Sequence, residues 1–175
     1  NWPYFNPRKF KEKVVEILNA KGYKASDFYA FGHSGAAGCG GNGLNDIHLL
    51  GPTAVGFFDT CLGKGWQRAV ETLQKKGIRT LNIFSVETAG FRPKQRPEYQ
   101  ADFDFGRAFS PLGLDPIECP KVHPGEKLRP LKHRCSSTSD GIVKGFVIDT
   151  GEGLEAHKQI LEPAIRYFLI EFANL

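Results

Sequence analysis

The sequence predicts one domain of the α/β class, a three-layer sandwich with a mainly parallel β-sheet. Short apolar runs rich in β-branched and aromatic residues alternate along the chain with segments of helical periodicity. This alternation is typical of parallel sheets with right-handed crossovers. The 175 residues are 41% hydrophobic and include 14 Phe, enough for one good core. We therefore expect a single domain over residues 1–175.

The first predicted element is a helix over residues 7–20, "PRKFKEKVVEILNA". Asn6 and Pro7 are a favourable N-cap and first-turn pair, and Gly22 is expected to end the helix. Apolar residues recur at spacings of three and four, which indicates one apolar helical face with charges opposite. That face comprises Phe10, Val14, Ile17 and Leu18.

Two strands and a second helix follow. The run "DFYAFG" predicts a short buried strand that ends at Gly32, and "TAVGFFDT", residues 53–60, predicts a second one. Residues 65–76 have helical periodicity, and Gly77 closes that helix. Its apolar face comprises Trp66, Ala69, Val70 and Leu73.

The second half of the chain contains two more predicted strands, "RTLNIFSVE" and "GIVKGFVID". From Leu154 onward the apolar residues have helical spacing, and Pro163 is expected to kink this last helix or to mark its true start. Residues 89–140 contain seven prolines and little periodicity. A segment of that length predicts a long functional loop or lid.

Composition excludes several classes of protein. The net charge of +4 comes without a basic stripe or an aromatic stacking platform, so we expect no nucleic-acid partner. The apolar runs are too short to span a bilayer. The basic residues of the 89–140 loop favour an anionic or acidic substrate.

The four cysteines, Cys39, Cys61, Cys119 and Cys135, are too widely spaced for a zinc ribbon. Cys119 and Cys135 bracket a segment rich in Pro and Lys, so a disulfide across that loop is one interpretation, and four independent buried thiols are the other. A disulfide would suit a secreted or periplasmic protein. We expect no metal site.

Chemically active side chains follow the predicted strands. Ser34, Asp59 and Glu87 each come after a strand, and His157 comes after the last one. In an open parallel sheet, ligands bind beyond the carboxyl ends of the strands. A serine becomes a nucleophile when a histidine takes its proton, and a carboxylate holds that histidine in the required tautomer. The chain order Ser, acid, His thus predicts acyl-transfer chemistry.

The turn after the first strand carries a recognisable motif. "FGHSGAA" resembles the G-x-S-x-G nucleophile elbow of the α/β-hydrolase superfamily, with alanine in place of the last glycine. Such a turn points the next backbone N–H, that of Gly35, at a developing oxyanion. The order of elements after the motif is similar to the C-terminal half of that fold.

This resemblance implies a serine hydrolase acting on an ester or amide, with no cofactor. Ser34 would be the nucleophile and His157 the general base. For the acid, the usual family position corresponds to Glu87 and a minority position to Asp59. Both alternatives stay open here, and Asp149 is a third candidate.

The resemblance also implies an incomplete sheet, because the family's sheet has more strands than are predicted here. We expect a fold that is reduced or truncated on its N-terminal side, completed by a second chain or a missing N-terminal segment. The chain begins with Asn1 and contains no Met. We therefore expect a processed or trimmed chain.

Two other functions remain as alternatives. Gly38, Gly40 and Gly43 satisfy G-x-G-x-x-G, and Asp59 lies about 20 residues further on, which is the spacing of a dinucleotide-binding domain. A hydrolase-like scaffold used only for binding is the other alternative. We expect His33 to pack or hydrogen-bond locally, with no role in proton transfer.

Overall fold

A computed structural model of the chain describes residues 6–34, 47–60, 64–85, 110–118, 134–148, 150–151 and 153–173. Four α-helices and six strands lie in these ranges. In chain order they are α1 (Pro7–Ala20), β1 (Tyr29–His33), β2 (Ala54–Phe58), α2 (Lys64–Lys75), β3 (Arg79–Ser85), β4 (Asp115–Ile117), β5 (Arg134–Ser137), β6 (Val143–Ile148), α3 (Gly153–Gln159) and α4 (Leu161–Ala173).

The six strands form one sheet in the order β1-β2-β3-β6-β5-β4. β1, β2, β3 and β6 are parallel, whereas β5 pairs antiparallel with β6 and β4 pairs antiparallel with β5. One apolar core, containing α2, covers one face, and a second core, containing α4, covers the other. The prediction of an α/β fold with a mainly parallel sheet is confirmed.

Local chemistry explains where the first helices begin and end. The Asn6 side chain accepts a hydrogen bond from the Lys9 N–H at 3.1 Å, as expected of an N-cap. Gly22 and Gly77 follow the ends of α1 and α2 with φ of 80° and 68°, a conformation that favours glycine. On α2 the whole predicted apolar face is buried, while on α1 Phe10 and Ile17 stay about half exposed.

The segment predicted as one long loop also contributes to the sheet. β4 and β5 both lie within residues 89–140 and extend the sheet beyond β6. The turn between β5 and β6 has a hairpin signal that the prediction missed. Asp140 accepts a hydrogen bond from the Ile142 N–H, and Gly141 has a φ of 71°. A lid at residues 86–109 or 119–133 would lie outside the described residues.

The last predicted helix is two helices. α3 ends at Gln159 and α4 begins at Leu161, so Pro163 lies in the first turn of α4. A proline is tolerated there because a first-turn residue has no intrahelical N–H partner to lose. The alternative in which Pro163 marks the start of the helix is thus confirmed.

β1 is the outermost strand on its side of the described sheet. Completion of the sheet there, by a second chain or a preceding segment, stays a prediction. No helix in the described ranges is both long and apolar enough to cross a membrane.

An aromatic pair lies on β1 and β2, formed by Phe31, which is 43% exposed, and Phe58, which is fully buried. The rings of Phe31 and Phe58 stack with centroids 5.6 Å apart, and both make T-shaped contacts with Phe168 on α4. Gly56 leaves room for this pair. A methyl group added there would lie 2.6 Å from Phe58 Cζ and 2.9 Å from Phe31 Cβ.

The variant Gly56→Ala is therefore expected to lower the free energy of unfolding by about 1–3 kcal/mol, the usual cost of overpacking a core. Urea denaturation measures it. Combining Gly56→Ala with Phe58→Leu should cost less than the sum of the two single changes, because the smaller side chain relieves the closest contact. Strict additivity would show that Gly56 does not make room for the Phe58 ring.

Candidate active site

Two neighbouring parallel strands, β1 and β2, bring two predicted site residues to one edge of the sheet. Ser34 directly follows β1, and Asp59 directly follows β2. The two strands pair with His33 opposite Phe58. Continuing this register by one residue puts Ser34 and Asp59 at the same level, at the carboxyl edge where ligands bind in open parallel sheets.

The backbone is unusual at both positions. Ser34 has a φ of 56° and Asp59 a φ of 44°, and they are the only non-glycine residues with positive φ in the described part of the chain. This left-handed region is costly for residues with a Cβ and is often found at functional sites. At Ser34 this conformation comes directly after the end of β1.

Asp59 is held firmly beneath the edge of the sheet. It is 2% exposed, and its Oδ1 accepts a hydrogen bond from the Ser85 N–H at 2.7 Å. Its own N–H donates to the Ile83 carbonyl at 2.7 Å. The Oδ2 atom accepts a hydrogen bond from Nδ1 of His157 at 2.6 Å. A buried carboxylate fixed in this way orients an imidazole.

His157 lies on α3, the first helix after β6. Its side chain is 26% exposed. The hydrogen bond to Asp59 raises the pKa of His157 above its ordinary value of 6.5, and the negative charge of Asp59 adds to this, while burial opposes it. Because Nδ1 carries the proton shared with Asp59, the neutral imidazole has its lone pair on Nε2. An Nε2 atom in this state can act as a general base.

His33 makes a contact that the sequence analysis did not anticipate. Its Nε2–H donates to the backbone carbonyl of His157 at 2.8 Å, across 124 residues of chain. The two imidazole rings also lie against each other, with centroids 4.4 Å apart and planes 30° apart. The expected local packing of His33 is therefore wrong. The only available signal was its position directly before Ser34.

Several predicted residues lie outside the described part of the chain. They are Gly35, the glycines at 38, 40 and 43, Glu87, Asp149 and Cys119. Cys135 is disulfide-bonded, but the predicted pairing with Cys119 stays a prediction. In the described ranges, no cluster of three or more His, Cys, Asp or Glu is arranged to hold a metal ion.

The dinucleotide-binding alternative requires Asp59 to accept hydrogen bonds from a ribose. Both carboxylate oxygens of Asp59 already accept hydrogen bonds within the protein, from the Ser85 N–H and from His157. The side chain is also shielded from solvent. The geometry at Asp59 therefore favours the orientation of an imidazole over the binding of a cofactor.

Comparisons with protein-family models, with curated proteins and with solved structures found no match to this chain. The α/β-hydrolase resemblance thus stays a prediction from the motif around Ser34.

Proposed function

We propose that the protein is a serine hydrolase that cleaves an ester or amide bond through an acyl-enzyme. Ser34 is the nucleophile, His157 the general base and Asp59 the acid that orients His157. One observation carries this proposal: the 2.6 Å hydrogen bond between Oδ2 of Asp59 and Nδ1 of His157, where Asp59 directly follows β2 and its neighbouring strand β1 is directly followed by Ser34. A base oriented by a third group is the arrangement that activates a serine.

In this mechanism the Ser34 Oγ attacks the substrate carbonyl carbon while Nε2 of His157 takes the hydroxyl proton. The negative charge that forms on the carbonyl oxygen is stabilised by a backbone N–H, for which the sequence predicts Gly35. His157 then gives its proton to the departing alkoxide or amine, which leaves the acyl group on Ser34. Water attacks this ester by the same steps in reverse and releases the acid.

We propose Asp59 rather than Glu87 as the acid. A triad acid must accept a hydrogen bond from Nδ1 of the histidine and must not be free to rotate. Asp59 meets both requirements, since Oδ2 accepts from His157 and Oδ1 accepts from the Ser85 N–H. The minority family position for the acid, directly after β2, is therefore the better supported one.

Labelling with a fluorophosphonate probe tests the proposed function, because the probe reacts with activated serines whatever their natural substrate. We expect stoichiometric labelling of the wild-type protein on the peptide that contains Ser34, read by mass spectrometry. The variant Ser34→Ala should take up no label. Ser26→Ala, an exposed serine before β1 that pairs with Asp27, is a matched control and should label like wild type.

If correctly folded wild-type protein takes up no label, the hydrolase proposal is wrong. That result would favour a hydrolase-like scaffold used only for binding. Labelling that persists in Ser34→Ala would place the reactive serine elsewhere in the chain.

A further inference from the structure

The proposed mechanism uses one histidine, yet a second one lies against it. The ring of His33 is in contact with the ring of His157, and its Nε2–H donates to the His157 backbone carbonyl. Because that carbonyl only accepts hydrogen bonds, the His33 tautomer is fixed with its proton on Nε2. His33 thus holds both the backbone and the imidazole plane of His157.

The helix that carries His157 needs such support. α3 has only seven residues, and a helix this short is marginal without tertiary contacts. His157 is among the last four residues of α3, whose carbonyls have no partner within the helix itself. His33 supplies one for the His157 carbonyl, while the Ala156 carbonyl accepts hydrogen bonds from the Thr150 hydroxyl at 2.8 Å and from the Ile160 N–H at 3.2 Å.

His33 is also the neighbour of the proposed nucleophile in the chain. It is the last residue of β1, and Ser34 follows it directly in the chain. The hydrogen bond from His33 therefore links the end of β1, next to Ser34, to the helix that carries His157.

We propose that His33 is a positioning residue of the Ser34–His157 pair. Through its Nε2–H donor and its stacked ring, it sets the distance and the angle between the nucleophile and the imidazole. This inference rests on the proposed hydrolase function and assigns His33 no proton-transfer step. Its role is to hold the base in register with the nucleophile, where a small misplacement is costly.

Three substitutions separate the two contacts. His33→Gln keeps an N–H donor near the position of Nε2 but removes the ring. His33→Phe keeps a ring against His157 but removes the donor, and His33→Ala removes both. As the control, Thr53→Ala changes a side chain that bonds to Asp27 before β1, at the opposite end of that strand from Ser34.

The readout is the second-order rate constant for fluorophosphonate labelling of Ser34, measured across pH. We expect His33→Phe and His33→Ala to lower this constant by roughly 10- to 100-fold, the range that misplaced reacting groups cost. His33→Gln should recover a large part of the loss, because the donor to the His157 carbonyl is restored. Thr53→Ala should react like wild type.

The pH dependence separates positioning from a merely structural role. Among the described residues, the groups facing His157 are Asp59 and His33, while Glu155 and Lys158 on α3 pair with each other in solvent. In His33→Phe the imidazole of His157 loses its alignment with Asp59. The fall of the labelling rate constant on the acid side of its pH profile (the acid limb) should then occur at lower pH. His33→Gln should keep the limb near its wild-type position.

The outcomes are distinct. A His33→Phe variant that melts earlier, yet reacts at the wild-type rate with an unchanged acid limb, has lost only stability and overturns this inference. The same is true if His33→Ala, with a wild-type melting temperature, is fully reactive. A wild-type protein that does not react at all overturns the hydrolase proposal, and the role of His33 with it.

Discussion

Replacing His157 by alanine is expected to lower the hydrolytic rate constant by about 10⁶-fold, the loss seen when a triad histidine is removed from a serine hydrolase. Without Nε2 of His157, the Ser34 hydroxyl keeps its proton and is a weak nucleophile. A p-nitrophenyl ester of a short acid is a suitable substrate, because its good leaving group makes even slow cleavage visible.

The control for this variant is Lys158→Ala. Lys158 is the next residue on α3, is exposed and pairs with Glu155 at 3.0 Å, so its loss disturbs the same helix without reaching Asp59. We expect Lys158→Ala to keep the wild-type rate. If His157→Ala folds and still cleaves the ester at a comparable rate, then another residue is the base and the proposed mechanism is wrong.

Replacing Asp59 by asparagine is expected to lower the rate by about 10⁴-fold with little change in fold. Asparagine has nearly the same shape, but its amide has no negative charge to orient and stabilise the imidazolium. Its NH₂ group also favours the wrong tautomer of His157. The loss should fall on kcat, because Asp59 is buried and does not face substrate.

The pH profile gives this prediction a direction. Asp59 raises the pKa of His157 above 6.5, chiefly through the hydrogen bond. The base must be neutral, so wild-type activity should fall as the pH drops through this raised pKa. In Asp59→Asn the stabilisation of the charged imidazole is lost, and the residual activity should show its acid limb at lower pH.

Variants of two other carboxylates show whether the loss of activity is specific to Asp59. Glu155→Gln removes a negative charge from the same helix, on a side chain that is exposed and paired with Lys158, and should leave rate and profile unchanged. Glu87→Gln tests the other candidate acid. A large loss in Glu87→Gln together with a near-normal rate in Asp59→Asn would assign the acid to Glu87 and contradict our proposal.

Some of the site was readable from sequence because it depends on neighbours in the chain. The motif around Ser34 combines a strand end with small residues, and the observed φ of 56° at Ser34 agrees with such a turn. The pattern of apolar residues likewise predicted β1, β2, β3, β6, α1 and α2 with nearly the observed bounds. Periodicity and capping depend on neighbouring residues in the chain, so they can be predicted without knowledge of the fold.

Two features of the structure were not predicted because they depend on contacts that are not local. The prolines of residues 89–140 suggested a loop, yet β4 and β5 lie there, because a strand can be short when a neighbouring strand supplies its hydrogen bonds. His33 was expected to bond locally, yet its partner is 124 residues away. The pattern of residues along a short stretch of sequence carries no information about a hydrogen-bond partner that is so distant in the chain.

By itself, the sequence determined the class of the fold, the serine at the end of β1, and the carboxylates and histidine that follow later strands. It left the choice between Asp59 and Glu87 open, because both follow parallel strands and both have the right chemistry. Only the tertiary structure brought Oδ2 of Asp59 within 2.6 Å of Nδ1 of His157 and placed the ring of His33 against the ring of His157. The physical reason is that strand ends are set by local apolar patterns. The position of His157 beside Asp59 and His33 is instead set by the packing of α3 and α4, which follow β6, on the finished sheet.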